Sequence, residues 1–401
     1  LAGRNLKAGR PVTATPVALG HPAAGLPAAG CDCRVCPFWQ SNPEATEPVC
    51  SGRNTSCSYC GCSRHLDVDG CQSCPIRCGS RVDIAAWMAD VGGTLSFDDI
   101  DLGPAGLPVG LPRFVPVMDA DTMTAFHRRI RWPAYALGFR RVFSHESLKL
   151  KPRFLKRSPH DILELDGGQL AVLVGYGEDP LVEGYWTRRH ADGVIDRIAE
   201  AGWDLILAPN YSVYVNFPRS EQLLSMRRSY IAAQEFADAG VVSAPSLYTF
   251  RSEDTDRHLG WIADTDPAAV AVNTQTCRTD SDWDQMINSL VYIGARLDEM
   301  GARTVVLTTG ASRPARLAQL GAALGGRLYV ISQNPIQFAR HGAVMTAKGR
   351  DDIHAETPVA FEHNLRFYAS VTDRAARFGL DHGVGAGAQV CSSEAAPVTA
   401  S

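Results

Sequence analysis

The sequence predicts an α/β protein: a (β/α)8-type barrel, complete or short of one strand, behind an N-terminal cysteine-rich metal-binding module. Three observations predict it. Ten of the twelve cysteines fall between Cys31 and Cys78. From Phe114 onward, short apolar runs alternate with helix-period segments at intervals of about 23–36 residues, the rhythm of strand–helix pairs. Nearly every apolar run ends in polar residues, as strands do when they feed a ligand-binding face. A doubly wound open sheet is the alternative arrangement of the same elements.

The chain has 401 residues, of which 45% are hydrophobic and 20% charged, so it can bury a full core and add a smaller module. No apolar run approaches the roughly 18 residues that cross a bilayer, and the protein reads as soluble and cytoplasmic with no membrane partner. Composition divides it into a disordered tail (1–30), the cysteine-rich module (31–80), and a linker with the first strand and a basic aromatic segment (81–157). The barrel-like domain (158–350) and a C-terminal helix with its tail (351–401) complete the chain.

The cysteines are spaced C-x-C-x2-C (Cys31, Cys33, Cys36), Cys50, C-x2-C-x-C (Cys57, Cys60, Cys62) and C-x2-C-x3-C (Cys71, Cys74, Cys78). A two-residue spacer lets two thiolates on one tight turn reach the same ion, so zinc is expected and an iron–sulfur cluster is the alternative. Disulfides rank below both because nothing indicates export. His65 is the only histidine within the cluster, and a solvated loop position is the plainer reading of it.

The predicted strands are 114–118, 170–177, 205–211, 241–248, 269–275, 304–310 and 327–332, with 342–346 or a segment near 141–143 as an eighth. Between them, Trp283, Met286, Ile287, Leu290, Ile293, Leu297 and Met300 recur at helical steps over 281–300, ahead of Gly301. A second helix is expected over about 220–239, capped by Ser220 and ended by Gly240. Dinucleotide, P-loop, nucleophile-elbow and zincin motifs are absent.

In a barrel the polar strand ends converge on one face. Asp119 and Asp121, two apart after the first strand, are the expected catalytic carboxylates, able to divide into proton acceptor and electrostatic stabiliser. Asn210, Tyr211, Ser212, Gln275, Gln333 and Asn334 are the expected substrate contacts, their amides suited to a base edge. Taken singly, each is as well explained as an ordinary polar loop residue, and Asp121 as a helix cap.

Residues 127–157 hold ten basic side chains against the single Glu146, within an otherwise acidic chain of net charge −4. Arg128, Arg129, Arg131, Arg140, Arg141, Lys149 and Lys151 are the expected nucleic-acid contacts, and Arg153, Lys156 and Arg157 continue the run. Trp132, Tyr135, Phe139, Phe143 and Phe154 interleave with them, a pattern that suits base stacking. A patch pairing with the acidic body explains the same charges.

PNYSVY (209–214), RRSY (227–230), AGVVSAPSLY (239–248), VAVNTQTC (270–277) and VVLTTG (305–310) resemble, in order and spacing, a bacterial and phage domain-of-unknown-function family, number 4417, over roughly 165–340. The RRSY motif adds Arg227 and Arg228 to the expected substrate contacts. The family's aspartate is replaced here by Asn210, and its phage and mobile-element distribution implies a nucleic-acid role. CDCRVC with His65, and PRFVPVMDADTM (112–123), are similar more loosely to tRNA-guanine transglycosylases, whose zinc motif follows most of the barrel instead of preceding it. The expected function is therefore nucleic-acid processing or base modification by a metal-containing barrel. The alternative is a non-catalytic metal-knuckle module binding nucleic acid on a barrel scaffold.

Overall fold

The computed structural model describes Pro43 and residues 89–145, 147–214, 219–249, 251–311 and 313–382, without the side chains of 219, 220 and 380–382. All ten clustered cysteines lie outside the described residues, as does the expected tail. Contacts divide the chain into two units, one of 1–73, 77–94 and 216–220, the other of 74–76, 95–215 and 221–401. Of the first, the described part includes a turn at 91–92 with Val91 buried. The second holds the strands.

The elements run β1 (Phe114–Pro116), α1 (Thr124–His127), β2 (Ala134–Gly138), α2 (Phe139–Val142), α3 (Pro159–Ile162), β3 (Leu170–Val174), α4 (Asp179–Arg188), α5 (Val194–Glu200), β4 (Leu205–Leu207), α6 (Arg219–Asp238) and β5 (Ser243–Ala244). They continue as α7 (Ser252–Thr265), β6 (Ala269–Asn273), α8 (Asp280–Glu299), β7 (Val305–Thr309), α9 (Pro314–Leu324), β8 (Leu328–Ser332), α10 (Asn334–Arg340), β9 (Ala343–Thr346), β10 (Gly349–Asp352) and α11 (Thr357–His382).

Parallel pairing orders these strands in two sheets, β1-β8-β7-β6 and β2-β3-β4-β5. Single parallel bridges, Val117 with Ala136 and Ser246 with Ala271, link the edges of the two sheets on both sides. The amide of Met118 donates to the Ala136 carbonyl at 2.7 Å, and that of Leu247 to Ala271 at 2.8 Å. One apolar cluster takes every second residue from all eight strands: Val115, Ala134, Ala136, Val172, Val174, Leu205, Leu207, Ala244, Ala269, Ala271, Leu307 and Ile331. That period of two is what a strand requires when one face looks at the same core and the other at helices.

The eighth parallel strand is AYALG, 134–138, just ahead of the segment near 141–143. Arg141–Phe143 itself lies at α2, and 342–346 forms β9, which pairs antiparallel with β10 in a hairpin. AYALG is short and flanked by cations, so it reads as part of a basic segment although Ala134 to Leu137 are fully buried.

The helices form where their patterns place them. In α8, Thr279 caps the Asp282 amide and Asp282 reciprocates. Trp283, Met286, Leu290, Ile293 and Leu297 are buried, at roughly 1.5–3 kcal/mol apiece. Gly301 follows at φ +63°, a left-handed stop that suits glycine. Helix α6 begins at Arg219, so Ser220, the expected cap, lies inside it, and Gly240 closes it at φ +86°. Helix α11 packs on α9 so closely that a Cβ at Gly379 would fall on the Gly321 carbonyl.

An extended segment after residue 94 is fastened to α6 and α7. Phe97 stacks on Tyr230 at 4.1 Å, and the Ile100 carbonyl accepts from the Trp261 indole at 2.7 Å. His258 accepts the Tyr248 amide at Nε2 (3.1 Å), so its Nδ1 carries the proton that meets the Tyr230 hydroxyl at 2.6 Å.

Candidate functional site

The C-terminal ends of β1 to β8 carry most of the expected site residues, but the structure gives them unequal roles. Strand β1 ends at Pro116, so Asp119 and Asp121 project from the loop beyond it, and one guanidinium holds both. Arg141, which follows β2, donates to Asp119 Oδ1 at 3.0 Å and to Asp121 Oδ1 at 2.9 Å. Arg340, the last residue of α10, donates to Asp119 Oδ2 at 2.5 Å and also to the Asp119 carbonyl. Both carboxylate oxygens of Asp119 are therefore engaged by cations, a geometry for orienting two guanidiniums and a poor one for accepting a substrate proton. Asp121 caps no helix: α1 starts three residues later behind Met123 and has no side-chain cap.

The basic segment is not one surface. Its chain passes through the core as β2, roughly 16 Å long, which separates Arg128, Arg129 and Arg131 from Arg140 onward. Arg129 pairs with Glu362 at 3.0 Å and Arg131 pairs with Asp166, both ahead of the strand, and Arg128 is exposed there. Beyond the strand lie Arg140, paired with Glu178 at 3.2 Å, and Arg141, Lys151 and Arg153, while Lys149 is exposed. The interleaved aromatics are core. Tyr135, Phe139, Phe143 and Phe154 are buried, and Trp132 is half-buried with its indole donating to the Phe114 carbonyl at 2.8 Å. Burial raises the Tyr135 hydroxyl pKa to about 12. Stacking of these rings on nucleic-acid bases is thereby corrected: their spacing serves packing.

Around the end of β2 the cations crowd. Lys151 Nζ donates to the Arg140 carbonyl at 2.8 Å, and Arg153 Nη2 to the Arg141 carbonyl at 3.3 Å. Burial lowers the Lys151 pKa, and Arg153, Arg141 and Arg140 lower it further against the opposite pull of Asp119. Arg153 is lowered in the same way, by burial and then by Arg141. Neither Arg153 nor Arg340 belongs to the expected site set. Arg153 stands in the basic run, but Arg340 carries no sequence signal, because a helix-terminal arginine is commonplace.

At the end of β4, Asn210 is half-buried and Tyr211 wholly buried. Ser212 donates to Asp179 Oδ1 at 2.5 Å and Tyr214 to Asp179 Oδ2 at 2.9 Å, so the loop after β4 is tied to the start of α4. Arg227 and Arg228, expected as substrate contacts, are internal. Arg227 forms a bidentate pair with Asp99, 2.6 Å on each side, and Arg228 pairs with Glu183 at 2.7 and 3.0 Å. Two consecutive helical residues point about 100° apart, which is how adjacent arginines reach separate carboxylates. Asp99, Asp179 and Glu183 were not legible as partners, since their pairings span 128, 33 and 45 residues.

The ends of β6 to β8 are wired locally. Asn273 accepts from the Gln275 amide at 3.0 Å and from Thr309 at 3.3 Å. Gln275 lies against Gly310, whose φ of +88° admits no Cβ without collision with the glutamine side chain. Asn334 donates to the Ala311 carbonyl at 3.1 Å, and Gln275 and Gln333 are exposed. Beside the β5 end a polar groove of about 520 Å³ runs between α7 and α8, lined by Thr249, Arg251, Ser281, Asp284 and Asn288 among others.

Among the described residues no group of three or more His, Cys, Asp or Glu side chains is placed to hold a metal ion, and no helix is long and apolar enough to cross a membrane. No family model matches the chain, and no curated protein matches it in sequence. Among solved structures it is similar to a 4-hydroxy-2-oxoglutarate aldolase/2-deydro-3-deoxyphosphogluconate aldolase from TTHB1. The identity is 13%, over 73% of this chain and 99% of that one, with a TM-score of 0.35. It is also similar to the glycerol uptake operon antiterminator regulatory protein from Listeria monocytogenes str. 4b F2365, at 12% identity over 57% of this chain and 96% of that one, with a TM-score of 0.31. Likenesses this slight carry no chemistry to this chain.

Proposed function

We propose that this chain is a closed (β/α)8 barrel that binds nucleic acid at the C-terminal ends of its strands and processes it there, with residues 31–78 holding zinc or, as the alternative, an iron–sulfur cluster. The observation that carries the binding reading is the convergence of Arg140, Arg141, Lys151 and Arg153 at the end of β2. Closure is supported by β1 lying beside β8 and by the two bridges at the sheet edges. The order of motifs over 165–340 supports kinship with the domain-of-unknown-function family 4417.

The test is anisotropy of a labelled single-stranded RNA or DNA titrated with the full chain over a range of salt. Four phosphate contacts give a log–log salt slope of about −3. Absence of binding at low salt overturns the reading. For the module, purified protein is expected to carry about two zinc ions, since eight thiolates complete two tetrahedral sites, and a brown, iron-containing preparation selects the cluster instead.

A specific observation favours the non-catalytic alternative. Asp119, the carboxylate nearest the strand ends, has both oxygens committed to arginines. On that reading the barrel presents cations and turns nothing over, and a survey of base exchange and phosphodiester cleavage with wild-type protein detects no product.

A further inference from the structure

The geometry points to a discrete seat for one phosphate group at the end of β2, formed by Lys151 and Arg153 with Arg141 alongside. It deepens the nucleic-acid reading and rests on it so far as the phosphate belongs to a polynucleotide backbone. The chemistry required of the ligand, a compact oxyanion with several acceptors, is the same for a free phosphate.

Each of the three cations donates to a backbone carbonyl, and of the three Arg141 is also paired with carboxylates. Lys151 donates to the Arg140 carbonyl, Arg153 to the Arg141 carbonyl and Arg141 to the Ala120 carbonyl at 3.1 Å. Asp119 and Asp121 both approach Arg141, and among the described residues no carboxylate lies in ion-pair range of Lys151 or Arg153. The Nε atoms of Arg141 and Arg153 are buried with no hydrogen-bond partner among the described residues. Partly desolvated like charges held side by side oppose folding, and packing alone is served at less cost by apolar side chains. A bound oxyanion offsets the repulsion and accepts from the ammonium and guanidinium donors together. The downward pull on Lys151 from its neighbours is the electrostatic sign of the same crowding. The position, just past a strand's C-terminal end, is where parallel α/β folds receive ligands.

The experiment uses the full chain, with inorganic phosphate and a short single-stranded RNA as separate probes. Phosphate is expected to raise the melting temperature of the wild type in a saturable way. Lys151→Met and Arg153→Gln should each weaken its binding by about tenfold or more, while Arg366→Gln, on the exposed face of α11, should not. A matching loss of RNA affinity in both variants identifies a backbone phosphate as the occupant. Phosphate binding lost in the variants, with no RNA bound by any form, sustains the seat and overturns the nucleic-acid reading. RNA bound equally by wild type and variants, with no phosphate effect, overturns the seat and leaves that reading intact. A measurement on wild-type protein alone guards against variants that fail to fold. Lys151 is one of five lysines, and phosphate should slow its acylation, read by mass spectrometry, without slowing that of Lys348. Equal rates with and without phosphate overturn the seat.

Discussion

Arg228 and Glu183 form a bidentate ion pair inside the fold, and the same guanidinium lies 4.2 Å from the centre of the Tyr211 ring. The arginine side chain is 2% exposed and the glutamate 15%. Burial acts against the charge on Arg228, and Glu183, helped by Tyr211 and Glu221, outweighs it, holding the guanidinium above its ordinary pKa. Glu183→Gln keeps the shape but leaves a buried cation unpaired, so chemical denaturation should show a loss of about 3–5 kcal/mol. A loss below about 1 kcal/mol, the value of a surface pair, would show that water reaches the site.

Tyr211 tests whether its motif serves chemistry or packing. Its hydroxyl is buried with no hydrogen-bond partner among the described residues, and burial raises its pKa well above the ordinary value. Tyr211→Phe retains the ring beneath Arg228 and removes an unsatisfied polar group, so stability should be unchanged or higher by about 1 kcal/mol. A substantial loss of RNA binding or turnover in that variant would restore the hydroxyl to a functional role.

Asp99 gives the fold an acid-dependent contact. Its carboxyl is held below 3.8 chiefly by hydrogen bonds from Arg227, although it is 55% exposed while the arginine is 2% exposed. A depressed folded-state pKa means that the pair's contribution is fully present above the unfolded value and fades as pH falls through the folded one. Melting temperatures of wild type and Asp99→Asn should therefore differ by a constant amount above about pH 5 and converge below pH 3.8. Parallel curves throughout would show that Asp99 does not titrate with folding.

The strands were legible because each buried run is apolar and ends at a change of pattern, as in LAVLV or AVAVN. AYALG escaped because its flanking charges dominate a window longer than the strand itself. The same averaging made the basic segment look like one surface, when its middle belongs to the core and its two ends lie at opposite ends of β2. What no local pattern contains is pairing across distance. Arg340 reaches Asp119 over 221 residues, and that contact, more than composition, decides what Asp119 can do.

The seams between the two sheets make a direct prediction. If the eight strands close on themselves, the amides of Met118 and Leu247, which donate across the two edges, are protected to the same degree as strand-interior amides such as Val172. Native-state hydrogen exchange resolved by residue measures this. Exchange of either amide orders of magnitude faster than Val172 would mean an open edge at that seam.

Asp119 separates catalysis from binding. If it is a proton acceptor, Asp119→Asn abolishes turnover and leaves nucleic-acid affinity where it was. The geometry supports another outcome. With 39% of the side chain exposed, its pairs with Arg141 and Arg340 contribute roughly 0–1 kcal/mol to stability, so the variant should melt near the wild-type temperature. Removing the charge releases two guanidiniums from an internal anion and leaves them to an external one, and RNA affinity at low salt should rise by about three- to tenfold. The gain should shrink as salt is added, because the released cations act through phosphate contacts that counterions compete for. An affinity that falls instead would show that Asp119 holds Arg141 and Arg340 in the binding posture, and Asp119→Glu, which restores the charge, should then recover it.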